Sequence, residues 1–330
     1  MNWWLWTLAA IGALLIVTTV YDLVQKRHAI LRNFPIIGHL RYLLESFGPE
    51  LRQYIVSDND EERPFNRNQR RWVYATSKRE NPYFGFGSDN RLDADGHVFF
   101  RHSAFPCDSD AAHGELRAAK VLGAWRGRPG AFRPESVVNI SGMSYGSLSG
   151  PAVAALNGGS AIAGCLHNTG EGGVSVHHRL GGDLVFQLGT GYFGARGADG
   201  RFCMDAFLAS FGSAPVKAVE LKLSQGAKPG LGGVLPAAKV TEEIAEARGV
   251  PAGVTVRSPN RHPEFYDVAG LVRFTERIAD ACGVPVGIKS AVGDRRFWTE
   301  LASEMSRAGR GPDFITVDGG EGGTGAGPLT

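Results

Sequence analysis

Two lysines and a glutamine, each three residues apart, follow an apolar run in the second half of this 330-residue chain. Lys222, Gln225 and Lys228 lie in the segment KLSQGAKPGLGGVLPAAK, where the run AVELKL ends. Two cations with an amide between them can bind the carboxylates of a small anion. The glycines of the segment would let backbone N–H groups approach such a ligand closely. The spacing predicts an anion-binding loop; solvated lysines in a surface loop are the alternative for this stretch taken alone.

Similar polar, glycine-rich ends follow several other apolar runs. In a barrel of parallel strands, the side chains at the carboxyl ends of all strands face one shared mouth. We therefore expect these ends to meet around one flat ligand. They are SGMSYGS (141–147), HNTGEGG (167–173), QLGTGYFG (187–194), Lys289, and DGGEGGTGAGP (318–328).

The apolar runs themselves predict the fold. They have strand length, and helical patterns separate several of them, for example one that begins at Asp267 and ends at Gly283 and one that ends at Gly309. Buried strands that alternate with helices are typical of parallel βαβ units. We predict an α/β fold, a (β/α)8 TIM-type barrel with six βα units present and the C-terminal part missing. The runs are VVNI, AGCLHN, LVFQLG, AVELKL, VPVGIK and DFITVD.

Other classes of protein are disfavoured. No G-x-G-x-x-G follows the first strand, which argues against a dinucleotide-binding sheet. A net charge of +2 without a basic stripe argues against nucleic acid as a partner. Four cysteines without a CxxC pair argue against a disulfide scaffold or a zinc site. His167, His177 and His178 match no metal-binding spacing, so we predict no metal.

The amino-terminal segment differs from the rest. Trp3 to Tyr21 carries no charge and is close to the ~20 residues that cross a bilayer as a helix. Lys26, Arg27 and Arg32 follow it, which favours the cytoplasm for the part that comes next. We predict a single-pass signal-anchor with the catalytic body in the cytoplasm. A cleaved signal peptide is disfavoured, because the segment has no basic residues before it and no A-x-A cleavage site after it. A buried core helix is disfavoured, because the segment has no polar face.

These patterns divide the chain into three parts. Residues 1–24 form the predicted anchor, and residues 25–90 a juxtamembrane helical arm and linker. Residues 91–330 form the predicted barrel, incomplete at its carboxyl end. We therefore expect the 330 residues to be a fragment of a longer protein.

Four motifs give a resemblance to a known family. From about residue 136 onward, MSYGSLS, NTGEGG, KLSQGAKPGLGGVLPAAKVTEEIA and GGTGAGP resemble the FMN-binding synthase domain of glutamate synthase. The arm LRNFPIIGHLRYLLE and the loop QLGTGYFG resemble a stand-alone, membrane-anchored subgroup of that family. The resemblance covers nearly the whole chain.

The resemblance implies an oxidoreductase acting on CH–NH2 donors. Ammonia would add to 2-oxoglutarate, and hydride from reduced FMN would convert the resulting 2-iminoglutarate to L-glutamate. The substrate-binding positions would be Lys222, Gln225 and Lys228. The catalytic positions would be Lys222, Lys289 and Glu171, where a turn role for Glu171 is the alternative. The positions matching the flavin site are Met143, Ser144, Asn168, Gln187, Lys289, Gly322, Gly323 and Thr324.

The departures from the family pattern leave other readings open. Asn2 and not a cysteine follows Met1, so the resemblance implies a separate ammonia-supplying subunit as well as a separate electron donor. An iron–sulfur cluster would be possible only in a longer form of the chain. The alternatives are an FMN barrel acting on another 2-oxo acid or amine, and a truncated, non-catalytic membrane-bound module.

Overall fold

The computed structural model divides the chain into two compact units, Met1–Pro106 and Cys107–Thr330. It describes residues 3–47, 65–80, 120–228 and 232–320, with a few positions between them: 62, 92–93, 95, 97, 101, 103–106 and 118.

Four helices make up the described part of the first unit. They are α1 (Trp3–Val24), α2 (Ala29–Asn33), α3 (Ile37–Ser46) and α4 (Arg67–Ser77). The apolar α1 is long enough to cross a membrane by length and composition, and a signal sequence near the amino terminus meets the same criteria. Helix α4 falls in a polar stretch that the sequence analysis assigned to the arm and linker. Asn66 and Gln69 begin it with a capping box.

A buried aspartate holds the corner after α1. Asp22 accepts hydrogen bonds from the backbone N–H of Ile36 and from Nε2 of His39, both at 2.9 Å. Gly38 sits against Leu31, where a Cβ would come within 2.9 Å of a side-chain methyl group. This small contact lets α3 fold back closely on α2.

A curved parallel sheet forms the centre of the second unit, compatible with a partial barrel. Five strands are hydrogen-bonded in the order β1-β2-β3-β6-β7, all parallel. They are β1 (His167–Asn168), β2 (Leu184–Leu188), β3 (Val216–Lys222), β6 (Val286–Ala291) and β7 (Ile315–Asp318). A short antiparallel pair, β4 (Val234–Leu235) and β5 (Val256–Arg257), lies in the loop after β3. The helices are α5 (Gly150–Ala163), α6 (Met204–Gly212), α7 (Glu242–Arg248), α8 (Val268–Cys282) and α9 (Arg295–Ala308).

Four of the six predicted strands are confirmed, as β2, β3, β6 and β7; AGCLHN was wrong in extent, and VVNI was wrong as a strand. Of AGCLHN, only His167 and Asn168 are extended, because α5 runs on to Ala163 and ends at Gly164 in the left-handed region (φ 62°). VVNI forms no strand, and Ile140 makes a single parallel bridge to His167. Both predicted limits of α8 and the predicted end of α9 at Gly309 are confirmed.

Alternation along β3 separates the two faces of the sheet. Val219 and Leu221 are fully buried and pack in the hydrophobic core with Phe186 of β2, Phe207 of α6 and Ile278 of α8. Glu220 and Lys222 point to the opposite face, because successive side chains of a strand alternate. One face of the sheet is therefore an apolar core, and the other carries polar groups.

A buried ionic network ties the segment before the sheet to α8 and β6. Both terminal nitrogens of Arg128 donate to Glu276 at 2.9 Å, and its Nε donates to Asp313 at 3.1 Å. Asp313 also accepts from the N–H of Val286 at 2.8 Å, where β6 begins. Burial alone would raise the pKa of Glu276, but hydrogen bonds from Arg128 and Gly311 outweigh it and lower that pKa. Helix α8 is thus held to the amino-terminal edge of the sheet.

Candidate functional site

The strand register brings the predicted chemical groups to one edge of the sheet. Lys222 of β3 is the register partner of Lys289 of β6, and Gln187 of β2 is the partner of Glu220 of β3. Because the strands are parallel, the loops that follow them leave from this same edge.

A cavity of about 440 Å³ opens at this edge. It is bounded by the loop after residue 140, the loop after β1, the end of β3 and the β4–β5 pair. Six of the predicted site residues line it: Met143, Ser144, Glu171, Lys222, Gln225 and Lys228.

Lys222 is held at the cavity wall by two neighbours. Its Nζ donates to Oε2 of Glu171 at 2.6 Å and to Oε1 of Gln225 at 2.7 Å. The lysine side chain is only 14% exposed, so this ion pair is screened less than a surface pair. The spacing of three residues between Lys222 and Gln225 thus produces a direct contact.

The loop that carries Glu171 packs tightly on the loop of Ser144. The N–H of Glu171 donates to Oγ of Ser144 at 3.0 Å. Gly170 adopts a positive φ of 64°, and a Cβ there would lie 2.5 Å from the backbone nitrogen of Ser144. Gly189 leaves the space that the Glu171 carboxylate occupies. These glycines therefore fix the acid beside the lysine.

The other two predicted lysines have different surroundings. Lys228 donates from Nζ to the carbonyl oxygen of Gly232 at 3.2 Å, across the mouth of the cavity. Lys289 does not line the cavity and forms an ion pair with Asp318 at 2.9 Å. Burial alone would raise the pKa of Asp318, but Lys289 and the N–H of Gly226 lower it.

Asn168 and Gln187 lie behind the cavity wall and not in it. Their amide nitrogens both donate to Oε1 of Glu220, at 2.8 and 2.6 Å. Gly142, which does line the cavity, lies directly over them: a Cβ there would be 2.8 Å from Asn168 and 2.9 Å from Gln187. Glu220 is a site residue that the sequence does not reveal, because a single acid inside AVELKL looks like an interruption of an apolar strand.

Arg248 is a second residue that the sequence analysis missed. It lines the cavity but is only 6% exposed, and it lies over the ring of Phe193 at 4.9 Å. One terminal nitrogen donates to the carbonyl oxygen of Tyr145 at 2.8 Å, while Nε has no hydrogen-bond partner among the described residues. Burial lowers the pKa of this guanidinium. An arginine at the end of α7 looks like an ordinary helix-terminal cation, so the sequence did not indicate a role for it in the site.

A buried histidine supports the end of β3 from the core side. His262 contacts the carbonyl oxygen of Lys222 through Nε2 at 2.9 Å and the hydroxyl of Tyr192 through Nδ1 at 2.9 Å. A carbonyl only accepts, so Nε2 carries the proton and Nδ1 accepts from Tyr192. Burial lowers the pKa of His262, which keeps the ring neutral.

Three predicted flavin positions, Gly322, Gly323 and Thr324, lie outside the described residues. The part of the chain that the structure describes holds no cluster of three or more potential metal ligands. His177 pairs with Glu243 at 2.5 Å, whereas His167 and His178 are buried in contact with each other. The roles assigned to the site residues, and the prediction of no metal, stay predictions.

Comparison with known proteins identifies the family. Residues 130–330 match the family model described as the conserved region in glutamate synthase. The chain therefore belongs to the family that this conserved region of glutamate synthase defines, which confirms the resemblance seen in the motifs. This family is generally FMN-dependent.

Three relatives show how much of the chain is shared. A glutamate synthase large subunit-like protein of Bacillus subtilis, YerD, is 38% identical over 343 residues, covering 93% of this chain and 65% of YerD. An archaeal-type glutamate synthase (NADPH) of Thermotoga neapolitana is 39% identical over 195 residues, covering 59% of this chain and 36% of the relative. A glutamate synthase large subunit-like protein of Rhizobium meliloti is 33% identical over 190 residues, covering 57% of this chain and 39% of the relative. The chain spans about two-thirds or less of each of these relatives.

Proposed function

We propose that the protein is a glutamate-synthase-type flavin oxidoreductase that reductively aminates 2-oxoglutarate to L-glutamate. The observation that carries the proposal is the cavity beside β3, which Lys222, Lys228 and Arg248 all line. Of the described residues that line it, Glu171 is the single acid. Such a surplus of cations suits a ligand with two carboxylates.

The cations have distinct parts in the proposed binding. Lys222 and Lys228, with Gln225 between them, hold the two carboxylates of the five-carbon oxo acid. Arg248 contributes a third cation to the cavity wall, and an oxygen of the oxo acid would accept a hydrogen bond from it. Because these side chains are largely buried, each charge-assisted hydrogen bond is worth about 1.5–3 kcal/mol.

Glu171 forms an ion pair with Lys222 until the substrate binds. Its carboxylate, 2.6 Å from Nζ, takes the place that a substrate carboxylate would take. Substrate binding therefore exchanges one carboxylate for another on the same lysine. The displaced Glu171 then lies within the site as a group that can accept or return a proton when ammonia adds to the oxo group.

The residues at the strand ends fit the polar edge of a flat cofactor ring. Gly142 lines the cavity, and because it has no Cβ, the side chains of Asn168 and Gln187 pack directly against its backbone. Lys289 adds a cation on the neighbouring strand, and Met143 and Ser144 flank the same wall. FMN bound there would supply the hydride that reduces the imine. Gly322, Gly323 and Thr324 belong to the same proposal.

The remaining parts of the proposal concern the surroundings of the enzyme. We infer that α1 is a single-pass anchor with the catalytic body in the cytoplasm, supported by its length, its apolar composition and the basic residues behind it. Ammonia and electrons would come from separate partners. An iron–sulfur cluster belongs to the proposal only for a longer form of the chain.

The test is a substrate comparison with the purified full-length protein. The protein should be yellow, release a flavin mononucleotide, and, after anaerobic reduction, be reoxidised by 2-oxoglutarate with ammonium. The one-carboxylate analogue 2-oxobutyrate should react at least tenfold more weakly at low concentration, since it lacks the second carboxylate. Equal reaction of both acids would favour a different oxo acid as substrate, and a colourless protein that takes up no FMN would contradict the assignment.

A further inference from the structure

We propose that Glu220 is a positioning residue that fixes the orientation of the Gln187 amide, so that its carbonyl oxygen is left to accept from an N–H on the edge of the bound ring. The inference rests on the proposed FMN site. It goes beyond that proposal by assigning an N–H of the ring as the donor and the carbonyl oxygen of Gln187 as the acceptor.

The carboxylate of Glu220 is the meeting point of three donors. It is 2% exposed, in the middle of β3. Oε1 accepts from Gln187 at 2.6 Å and from Asn168 at 2.8 Å, and Oε2 accepts from the hydroxyl of Thr316 at 2.5 Å. One side chain thus connects four of the five parallel strands: β1, β2, β3 and β7.

The chemistry of these partners determines how the amides are turned. An ionised carboxylate can only accept, so the amino group of each amide must face it. The carbonyl oxygen of Asn168 is already used, since it accepts from the N–H of Gly170 at 3.0 Å. The carbonyl oxygen of Gln187 receives no hydrogen bond from the described residues, which leaves it as the acceptor for a ligand.

Glu220 acts by orienting its hydrogen-bond partners and not by forming an ion pair. Among the described residues, no lysine, arginine or histidine lies within the 4.0 Å that an ion pair requires, and all three of its partners are neutral groups. Burying a carboxylate is costly unless hydrogen bonds compensate it. A hydrophobic side chain would suit the strand better, so the position of the charge beneath the cavity wall indicates a role in the site.

A double-mutant cycle tests whether Glu220 acts through Gln187. Glu220→Gln keeps the shape of the side chain but removes the charge, so residue 220 no longer imposes one orientation on its neighbours. We expect roughly tenfold weaker FMN binding, from the loss of a charge-assisted bond, measured by quenching of flavin fluorescence. Gln187→Met should weaken FMN binding similarly. Adding Glu220→Gln to Gln187→Met should then cause no further loss.

The matched control is Glu276→Gln, which makes the same change in the buried network of Arg128. It should lower thermal stability but leave the FMN affinity and the visible spectrum of the flavin as in the wild type. If Glu220→Gln binds FMN with wild-type affinity, or if its effect persists unchanged in the Gln187→Met background, the inference is overturned.

A measurement without flavin separates this inference from the proposed function. With ¹⁵N-labelled glutamine, the side-chain amide signal of Gln187, assigned by its loss in Gln187→Met, should exchange slowly with solvent in the cofactor-free protein. Exchange should become about tenfold faster in Glu220→Gln. If the wild type binds no FMN, the proposed function fails, but the amide signal still tests the role of Glu220. Equal exchange rates of the Gln187 amide in the wild type and in Glu220→Gln would contradict a fixed amide.

Discussion

Lys222 is held in position by neighbours that the strand pattern alone does not reveal. Its register on β3 brings it to the cavity, while Glu171 and Gln225 hold its amino group at 2.6 and 2.7 Å. His262 fixes the backbone carbonyl of the same residue. A cation held in this way keeps a fixed position at the cavity wall, where a substrate carboxylate would replace that of Glu171.

Lys222→Met should weaken binding of 2-oxoglutarate by about ten- to a hundredfold, because one charged hydrogen bond of roughly 1.5–3 kcal/mol is lost. Bound flavin should be unchanged. Steady-state kinetics over a range of 2-oxoglutarate concentrations measures the effect. The matched control is Lys217→Met, on the same strand, where the lysine is 47% exposed and 4.0 Å from Asp183. Wild-type kinetics in the Lys222 variant would exclude the carboxylate contact.

Lys289→Met should act on the flavin and not on substrate affinity. The change removes a cation from the sheet edge and leaves Asp318 without its partner at 2.9 Å. Negative charge near a ring that gains electrons disfavours its reduction. We expect a lower midpoint potential by redox titration and slower hydride transfer at saturating substrate. A potential equal to that of the wild type would show that Lys289 does not face the cofactor.

Among the elements, the glycine loops determine where the acid of the site lies. Gly189, at the end of β2, gives the Glu171 carboxylate its space. Gly189→Ala should push Glu171 away from Lys222 and change the apparent affinity for 2-oxoglutarate while flavin stays bound. Gly158→Ala, in α5 where no atom lies within 4 Å of the new methyl group, is the control. Identical substrate affinity in the wild type and both variants would contradict this packing.

The ionic network beneath the sheet should make stability depend on pH. The pKa of Glu276 is lower in the folded protein than in the unfolded chain. Its contribution is therefore complete at neutral pH and is lost as the pH falls through the folded pKa, below the ordinary range of glutamic acid. Glu276→Gln should cost about 3–5 kcal/mol at neutral pH and less in acid. Urea unfolding at several pH values measures it; a constant difference between the two proteins would be inconsistent with this account.

The sequence predicted the strands that are long and apolar, and the helix ends that carry a capping aspartate and a glycine. It failed where a pattern was short or ambiguous. AGCLHN begins at the last residue of α5, because small apolar residues suit a helix as well as a strand. Glu220 and Arg248 gave no signal because their roles depend on partners far away in the chain: Thr316 is 96 residues from Glu220, and Tyr145 is 103 from Arg248. The contact between Lys222 and Gln225 could be predicted, because the two residues are only three positions apart.

For the molecule as a whole, the amino-terminal unit and the sheet unit have separate tasks in our proposal. Deleting residues 1–30 removes α1 together with Lys26 and Arg27. We expect the shortened protein to leave the membrane fraction with its flavin content unchanged. Ultracentrifugation with flavin quantification measures both properties. If the undeleted protein already stays in the supernatant, the anchor proposal is wrong.

In our proposal, the cavity beside β3 binds 2-oxoglutarate so that its imine is reduced to glutamate. A single-turnover experiment measures this reaction. The full-length protein, loaded with FMN and chemically reduced without oxygen, is mixed with 2-oxoglutarate and ¹⁵N-ammonium. We expect reoxidation of the flavin, with about one ¹⁵N-labelled L-glutamate formed per flavin. Reduced flavin that persists in the presence of both substrates, with no labelled glutamate, would contradict it.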